Sequence, residues 1–197
     1  MDLRKRRSQE KLQVALAQHL QNQTIDEITI GELTQTAGVS RQTFYSNFDS
    51  KQSILLNRIE TIFEKGWVKT EALIQQSDIG REEFVEISVR ILLEECDRDR
   101  VLMRAAFTGQ AGIQCLSLLK KLISKMIAER VLFQFNHNFD ARQLDTISDF
   151  YAGGIIGVVQ GWLLDDQEAK EIDVVARQIG RLVPHGLDGY ISKSTVR

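Results

Sequence analysis

The side chains best suited to binding chemistry lie together in a short stretch near the start of the chain, residues 40–48. If this stretch is helical, Phe44 and Phe48 share one side because they are four residues apart. The other side then has no aliphatic residue and carries the hydrogen-bonding side chains of Gln42, Thr43, Tyr45 and Ser46. Glutamine can pair with adenine edges, arginine with guanine edges, and a threonine methyl group can contact that of thymine. This side of the helix is therefore predicted to read DNA bases.

The residues that precede this stretch have the spacing of a short helix and a tight turn. Thr29 lies three residues before Glu32, so each side chain can satisfy a backbone N–H at a helix start. Gly38 suits the left-handed conformation that ends a helix, and Ser40 can cap the next helix. Two short helices joined by a turn that contains glycine are typical of a DNA-binding helix-turn-helix. The alternative is a pair of surface helices without a nucleic-acid role.

The stretch from Ile28 to Leu55 resembles the N-terminal domain of the TetR (tetracycline-repressor) family of bacterial regulators. The resemblance is carried by Ile28–Ile30, Ala37–Ser40, Thr43–Tyr45, Phe48 and Lys51. One position departs from the family pattern, because Asn47 stands where the family often has histidine. Asparagine can still donate a hydrogen bond to a phosphate, but without positive charge. The resemblance implies an all-α protein in which a helix-turn-helix domain precedes a helical ligand-binding and dimerisation domain.

Eight residues are predicted to contact DNA. Those expected to read bases are Arg41, Gln42 and Thr43. Those expected to hold phosphates are Thr29, Tyr45, Lys51 and Asn47, and Ser40 completes the set at the helix start. Lys51 falls in the first turn of a long helix, where a cation opposes the helix dipole. This unfavourable placement favours a phosphate contact, and the alternative is a tolerated surface lysine.

The overall charge argues against a protein that coats nucleic acid without specificity. The 197 residues carry a formal net charge of −2, and the pI is about 6.0. Basic side chains nevertheless crowd the first turns, at Arg4, Lys5, Arg6, Arg7 and Lys11. This basic run could reach phosphates or the minor groove, or it could be a solvated, disordered N-terminus. The sequence supports both interpretations equally.

A single proline and helical periodicity along the chain predict an all-α protein. A long helix from Ser50 to Gln76 follows the helix-turn-helix without a flexible linker. We place the domain boundary inside this helix. The result is a DNA-binding domain over residues 1–54 and a helical effector-binding and dimerisation domain over residues 55–197. Because no linker separates them, the two domains are expected to be mechanically coupled.

No segment predicts export or membrane insertion. The charged N-terminus is not followed by the apolar stretch of a signal peptide. The most apolar segment, Phe150–Leu164, is shorter than the roughly 20 residues that span a bilayer. Cys96 and Cys115 form no metal or redox motif, which favours reduced thiols in an intracellular protein. We therefore expect a cytoplasmic protein without membrane contact, cofactor or bound metal.

Three glycines recur every four residues in a helix predicted over residues 141–164. Because a glycine inside a helix costs about 1 kcal/mol relative to alanine, another helix backbone is expected to come close there, within the chain or in a second copy. This helix is apolar on nearly every side and is predicted to be buried all round. A last helix is predicted from about Glu168 to Val183, ended or kinked by Pro184. Because TetR-family members generally dimerise through their last two helices, the predicted dimer interface is Gly153, Gly157, Gly161, Trp162, Ile172, Val175, Ile179 and Leu182.

The resemblance also implies a small-molecule cavity in the second domain. Its candidate lining is Phe63, Trp67, Phe84, Cys96, Met103, Phe107 and Tyr151, although aromatic residues at helical spacing more often belong to a core. The whole pattern predicts a homodimeric repressor that a small-molecule effector releases from a palindromic double-stranded DNA operator. One alternative is a regulator that needs its ligand as a co-repressor, and another is a helical protein–protein adaptor. An α-helical enzyme finds little support, because His19, His137 and His185 lack metal-ligand spacing.

Overall fold

The computed structural model describes residues 3–74, 79–109, 111–131, 139–165 and 171–194. In this part of the chain every regular element is a helix, which confirms the predicted all-α class. The α-helices are α1 (Leu3–His19), α2 (Ile30–Ala37), α3 (Arg41–Tyr45), α4 (Lys51–Ile74), α5 (Arg81–Arg98), α6 (Arg100–Ala105), α7 (Gly112–Met126), α8 (Ala141–Leu164) and α9 (Ile172–Ser194). A π-helical turn, Ile127–Val131, continues α7.

The residue contacts divide the chain into two compact units. Unit 1 comprises Met1–Thr61 and Asp97–Leu118, and unit 2 comprises Ile62–Cys96 and Leu119–Arg197. The sequence predicts a domain boundary after residue 54, at the end of the helix-turn-helix domain. Packing instead places the boundary within α4, after Thr61, and adds the segment 97–118 to the unit that contains the helix-turn-helix.

Unit 1 is built around apolar side chains from its first four helices. The most completely buried of them are Leu12, Leu16, Leu33, Phe44 and Ile54. Burying one large apolar side chain stabilises the folded state by about 1.5–3 kcal/mol. Because α2 and α3 are too short to persist alone, this shared core is what holds them in place.

Two contacts explain why the segment 97–118 belongs to unit 1. Arg58 Nη2 in α4 forms a hydrogen-bonded ion pair with Asp99 Oδ2, and both side chains are largely shielded from solvent. Asp99 precedes α6 but makes no capping hydrogen bond to it, because its carboxylate is turned towards Arg58. Further along, Gly109 has a φ of 64°, and a Cβ there would lie 3.0 Å from the Asp26 carboxylate. Glycine satisfies both the left-handed backbone and the close approach.

Within one copy of the chain, helix α8 in unit 2 is buried on one side only, so the predicted burial all round would need a second copy. Its buried apolar side chains are Ile147, Ala152, Ile155, Trp162 and Leu163. On the opposite side Phe150 is 74% exposed, and the glycines at 153, 154, 157 and 161 are also exposed. An apolar composition does not reveal which side of a helix the same chain covers.

Helix α9 continues beyond the predicted end near residue 183. It runs through Pro184 to Ser194. Proline removes one helical N–H donor, but its fixed φ is compatible with a helix. Val183 and Leu187, on either side of the proline, are both buried, so packing holds the helix together across the position where the local signal predicted a break.

Helix α2 begins with the capping box that the spacing predicts. The Thr29 hydroxyl oxygen accepts a hydrogen bond from the Glu32 N–H at 3.2 Å. A Glu32 carboxylate oxygen accepts from the Thr29 hydroxyl at 2.7 Å and from the Thr29 N–H at 2.8 Å. These bonds, the hydroxyl first and then the N–H, lower the pKa of Glu32 below its usual value. The helix ends at Gly38, whose φ of 61° is the predicted left-handed conformation.

Removing the capping hydroxyl should destabilise the helix-turn-helix. We expect T29A to lower the free energy of unfolding by about 1 kcal/mol at neutral pH, because an orphan N–H at the start of α2 loses its acceptor. Urea unfolding followed by circular dichroism measures the loss. T108A is the matched control, since the Thr108 hydroxyl donates to the Arg104 carbonyl oxygen at 3.3 Å and caps no helix start in the described chain. An equal loss in both variants would contradict the capping role.

The capping carboxylate also predicts a pH dependence. Because the folded-state pKa of Glu32 is lowered, its contribution is complete above the usual pKa of 4.5 and is lost as pH falls through the lowered value. E32Q keeps a hydrogen-bonding group but removes the titration. The stability of wild type relative to E32Q should therefore be constant well above pH 4.5 and fall as the pH is lowered through that value. Unfolding measured from neutral to acid pH tests this, and a constant difference would mean that the pKa is not lowered.

Candidate functional site

Helix α3 has five residues, Arg41–Tyr45, and is both capped and anchored. The Ser40 hydroxyl oxygen accepts a hydrogen bond from the Thr43 N–H at 3.0 Å, as predicted for the residue that caps this helix. Phe44 is fully buried, and its ring centroid lies 6.3 Å from that of Phe48, which is also buried. The predicted placement of these two rings on the inner side is confirmed.

The helix ends earlier than the predicted end at residue 48. The Thr43 carbonyl oxygen accepts hydrogen bonds from the Ser46 hydroxyl at 2.9 Å and from the Asn47 amide at 2.7 Å. Short polar side chains that bond the backbone in this way compete with helical hydrogen bonds. A turn at residues 46–47 therefore replaces the last part of the predicted helix.

The solvent side of α3 is close to the predicted one. Arg41, Gln42 and Tyr45 are exposed. Tyr45 keeps 58% of its surface exposed while its ring packs edge-on against Phe44 at 5.3 Å. Thr43 is half-buried, and its Oγ1 lies 2.9 Å from the Ser40 hydroxyl. The exposed groups are thus a guanidinium, a carboxamide and a phenol, which can bond bases or phosphates.

Asn47, a predicted phosphate contact, is engaged within the chain. Its Nδ2 donates to the Thr43 carbonyl oxygen and lies 3.4 Å from the Ser46 hydroxyl. Its Oδ1 is buried and accepts no hydrogen bond from the residues that the structure describes. The side chain therefore helps to terminate α3, a role that the sequence did not indicate.

Lys51, at the first position of α4, is held by the backbone before α2. Its Nζ donates to the Asp26 carbonyl oxygen at 2.8 Å and to the Ile28 carbonyl oxygen at 2.5 Å. These acceptors explain how a cation is tolerated where the helix dipole disfavours it. The sequence did not reveal these two carbonyl acceptors, because they lie 23 and 25 positions before Lys51 and no local spacing connects them. An ammonium group has three N–H donors, so one remains for a further acceptor.

Thr29 and Arg41 were both predicted to contact DNA, one at the start of α2 and the other in α3. In the structure their side chains both lie near Gly31, at the start of α2. Arg41 Nη2 lies 3.1 Å, and Thr29 Oγ1 lies 3.7 Å, from the point where a Cβ on Gly31 would stand. The missing side chain at Gly31 leaves room for the guanidinium group. Two of the predicted DNA contacts therefore share one surface.

The residues predicted to form a dimer interface separate into two groups. Trp162, Val175 and Ile179 are buried within a single copy of the chain, so they are core residues of this chain, not a free interface. The exposed group consists of Gly153, Gly157, Gly161 and Leu182, while Ile172 is half-buried. Sequence reasoning missed Phe150 and Val158, which lie on the same exposed side of α8 as the glycines. Their helical spacing from the glycine stripe was the available signal.

The predicted cavity residues are mostly inside the fold but are divided between the units. Met103 and Phe107 belong to unit 1 and are buried. In unit 2, Phe84 and Cys96 are buried, whereas Phe63, Trp67 and Tyr151 are half-buried. Burial of the ring raises the pKa of the Tyr151 phenol.

Unit 2 contains a cleft that sequence reasoning did not identify. A Cβ on Gly66 would lie 2.8 Å from Leu92 Cδ2, so α4 and α5 approach closely at that level. Beyond it they border a cleft of about 550 Å³ lined by Lys69, Ala72, Leu73, Ile87, Arg90, Ile91 and Glu94. Lys69 is paired with Glu95, and Arg90 with Glu86, so the cleft has little free charge. None of the seven predicted cavity residues lines it.

Comparison with known proteins identifies the family. A family model of TetR type, described as "Transcriptional regulator C-terminal region", matches residues 86–184, which is half of the chain. The regulator EthR of Mycobacterium tuberculosis is 24% identical over 111 residues, which cover 55% of this chain and 51% of that protein. The matched region thus spans about half the length of these curated relatives. The uncharacterized HTH-type regulator YdgC of Bacillus subtilis is 23% identical over 189 residues, covering 92% of this chain and 95% of that protein.

Solved structures share the fold. FadR of Thermus thermophilus, a TetR-family repressor in complex with lauroyl-CoA, has a TM-score of 0.65 and 18% identity to this chain. The likeness covers 90% of this chain and 94% of that one, and at this identity it concerns the fold alone. The matched C-terminal region agrees with the resemblance found at the helix-turn-helix. The chain belongs to the TetR family of transcriptional regulators.

Proposed function

We propose that this chain is a homodimeric repressor that binds a palindromic DNA operator through α3. The observation that carries the proposal is that α3 is held at its start and on its inner side. Ser40 caps it, buried Phe44 anchors it, and Gln42 is left exposed to solvent. In helix-turn-helix proteins the second helix lies in the major groove, where the residues near its start contact base edges. A helix already fixed in this way needs no ordering when it binds.

The DNA contacts are assigned by position. Arg41, Gln42 and Thr43, at the start of α3, are expected to read bases. Tyr45 and Thr29 are expected to bond phosphates, together with Lys51, whose third N–H donor is not used by the two carbonyl oxygens. Asn47 is expected to act by fixing the end of α3, since its amide already bonds the backbone.

Dimerisation is assigned to the open side of α8. A Cβ at Gly153, Gly157 or Gly161 would have no atom within 4 Å among the residues that the structure describes, so the described part of this chain does not cover the stripe. Exposed Phe150 extends the apolar surface, and a two-fold axis would place the same surface of a second copy against it. By length and composition α8 could also cross a membrane, with 28% of its apolar window buried. A second copy accounts for that composition without a membrane.

Effector binding and operator binding are expected to be thermodynamically linked, so that the effector releases the DNA. The two DNA-binding domains of a dimer must lie about 34 Å apart to enter successive major grooves. An effector that binds better at another spacing lowers DNA affinity by its differential binding energy, typically about 1–3 kcal/mol. Helix α4 is assigned to carry the change, because it passes from unit 1 into unit 2 without interruption. A ligand that acts as co-repressor would use the same linkage with the opposite sign.

The family is not a family of enzymes, and we infer that this chain acts in the cytoplasm by binding alone. The remaining rival is a protein–protein adaptor that uses the helix-turn-helix as a scaffold. An adaptor would keep its function when Gln42 and Tyr45 are replaced, whereas a DNA-binding repressor would lose operator binding and stay folded.

The direct test is binding of the purified protein to DNA from immediately upstream of its own gene, in about 150 mM salt with competitor DNA. Saturable binding to a palindrome is expected. If neither this DNA nor sequences selected from a random pool bind, the repressor proposal fails and the adaptor becomes the better explanation.

Loss of the Gln42 carboxamide should relax specificity at one base pair. We expect Q42A to reduce discrimination there by about 1–3 kcal/mol, because paired hydrogen bonds to one base edge are lost. Competition with operators changed at each position measures this effect. Q35A is the matched control, since Gln35 is exposed on α2. Unchanged preferences in Q42A would remove Gln42 from the base-reading set.

Loss of the Lys51 charge should weaken binding to every sequence. We expect K51M to reduce the slope of log affinity against log salt by about 0.9, because one phosphate contact is lost. K65M, which removes an exposed lysine from the same helix, is the control. If the slope of K51M equals that of wild type, Lys51 serves only to hold the Asp26 and Ile28 carbonyls.

A methyl group on the glycine stripe should separate the dimer without harming the fold. A Cβ at Gly157 would have no atom within 4 Å in the described segments of its own chain, and alanine is favoured over glycine in a helix by about 1 kcal/mol. We expect G157A to raise the dimer dissociation constant by about 5- to 150-fold, because overpacking a close contact costs about 1–3 kcal/mol. Sedimentation equilibrium measures it, with G80A, also in open space, as control. An unchanged constant would place the interface elsewhere.

A further inference from the structure

The basic run at the start of the chain is part of a regular helix, which separates its side chains by direction. Helix α1 begins at Leu3, so the run from residue 4 onwards is not a disordered arm. Arg7 and Lys11 are four residues apart and lie on one side, and Gln18 follows seven residues later on the same side. Arg6 points about 100° away from Arg7 and is paired with Glu10 at 3.1 Å.

Arg7 and Lys11 border a cleft between α1 and α2. The cleft has a volume of about 370 Å³ and is lined by Arg7, Glu10, Lys11, Val14, Ala15, Gln18, Thr36 and Ala37. Val14 is 59% exposed at its edge. Thr36 and Ala37 are the last residues of α2 before the turn at Gly38, so the cleft adjoins the turn that leads into α3.

The cleft carries free positive charge. Neither Arg7 nor Lys11 forms an ion pair with any residue that the structure describes. The carboxylate of Glu10, which also lines the cleft, is already paired with Arg6. Gln18 and Thr36 add neutral hydrogen-bonding groups, so the surface is suited to an extended anion.

We propose that Arg7 and Lys11 bind phosphates of the operator backbone beside the groove that α3 enters, an inference that rests on the proposed DNA binding. Ser40 at the start of α3 lies three positions after Ala37 in the cleft wall, so the chain between them spans at most about 10 Å. DNA carries one phosphate charge per about 1.7 Å of its axis, so phosphates border the groove within about 10 Å of a helix that enters it. An acidic protein segment could use the same charges, but adjacency to the recognition helix within unit 1 favours DNA.

The adjacent arginine supplies a control of identical charge. R7A and R6A remove the same charge from neighbouring positions, so a general effect of net charge is the same in both. Affinity for the operator and for unrelated DNA is measured by fluorescence anisotropy between about 50 and about 200 mM salt. Thermal unfolding of each variant checks that the fold is retained, and R7K tests whether the charge itself is required.

We expect R7A and K11A each to reduce the salt slope by about 0.9, so that the rise in Kd over this salt range is about 3.5-fold smaller than in wild type. Binding to operator and unrelated DNA should weaken alike, R7K should keep the wild-type slope, and R6A should change it by less than half as much. Equal slopes for R7A and R6A would overturn the assignment, as would a loss of sequence preference in R7A. If wild type binds no DNA, the proposed function fails and this inference falls with it.

Discussion

A helix of five residues does not persist in water, because the cost of nucleating a helix exceeds what so few backbone hydrogen bonds return. The candidate DNA-reading surface of this protein therefore depends on how α3 is held, above all on Phe44 in the core of unit 1. The cap at Ser40 and the side chains of Ser46 and Asn47 define where the helix starts and stops. With both ends and the inner side occupied, Arg41, Gln42 and Tyr45 are left to solvent.

The same core reaches beyond the helix-turn-helix. Lys51 fixes the backbone just before α2 by bonding the Asp26 and Ile28 carbonyl oxygens, and Gly109 packs against Asp26. The segment 97–118 is thereby part of unit 1, although the chain on both sides of it belongs to unit 2. The chain crosses between units within α4, before Asp97 and after Leu118, so the two units are joined covalently at three places.

Helix α8 faces a different constraint, because the residues that the structure describes in one copy leave part of its apolar surface exposed. Trp162 and Leu163 are buried, whereas Phe150 and the glycine stripe face outward. A contiguous exposed apolar surface of this kind marks an interaction site in most proteins. The glycine stripe lets another helix backbone come close, although each glycine weakens the helix. We therefore propose a second copy of the chain as the partner of this surface.

The features that depend on residues three or four apart were determined by the sequence itself: the capping box of Thr29 and Glu32, the left-handed Gly38, and the buried pair of Phe44 and Phe48. They are local, so spacing and side-chain chemistry suffice to predict them, and the resemblance that they carry identified the family. Only the tertiary structure decided the partners of Lys51, the burial of Val175 and Ile179 within one chain, and the passage of α9 through Pro184. These depend on contacts between residues far apart in sequence, and helical periodicity says which residues share a side but not what covers that side.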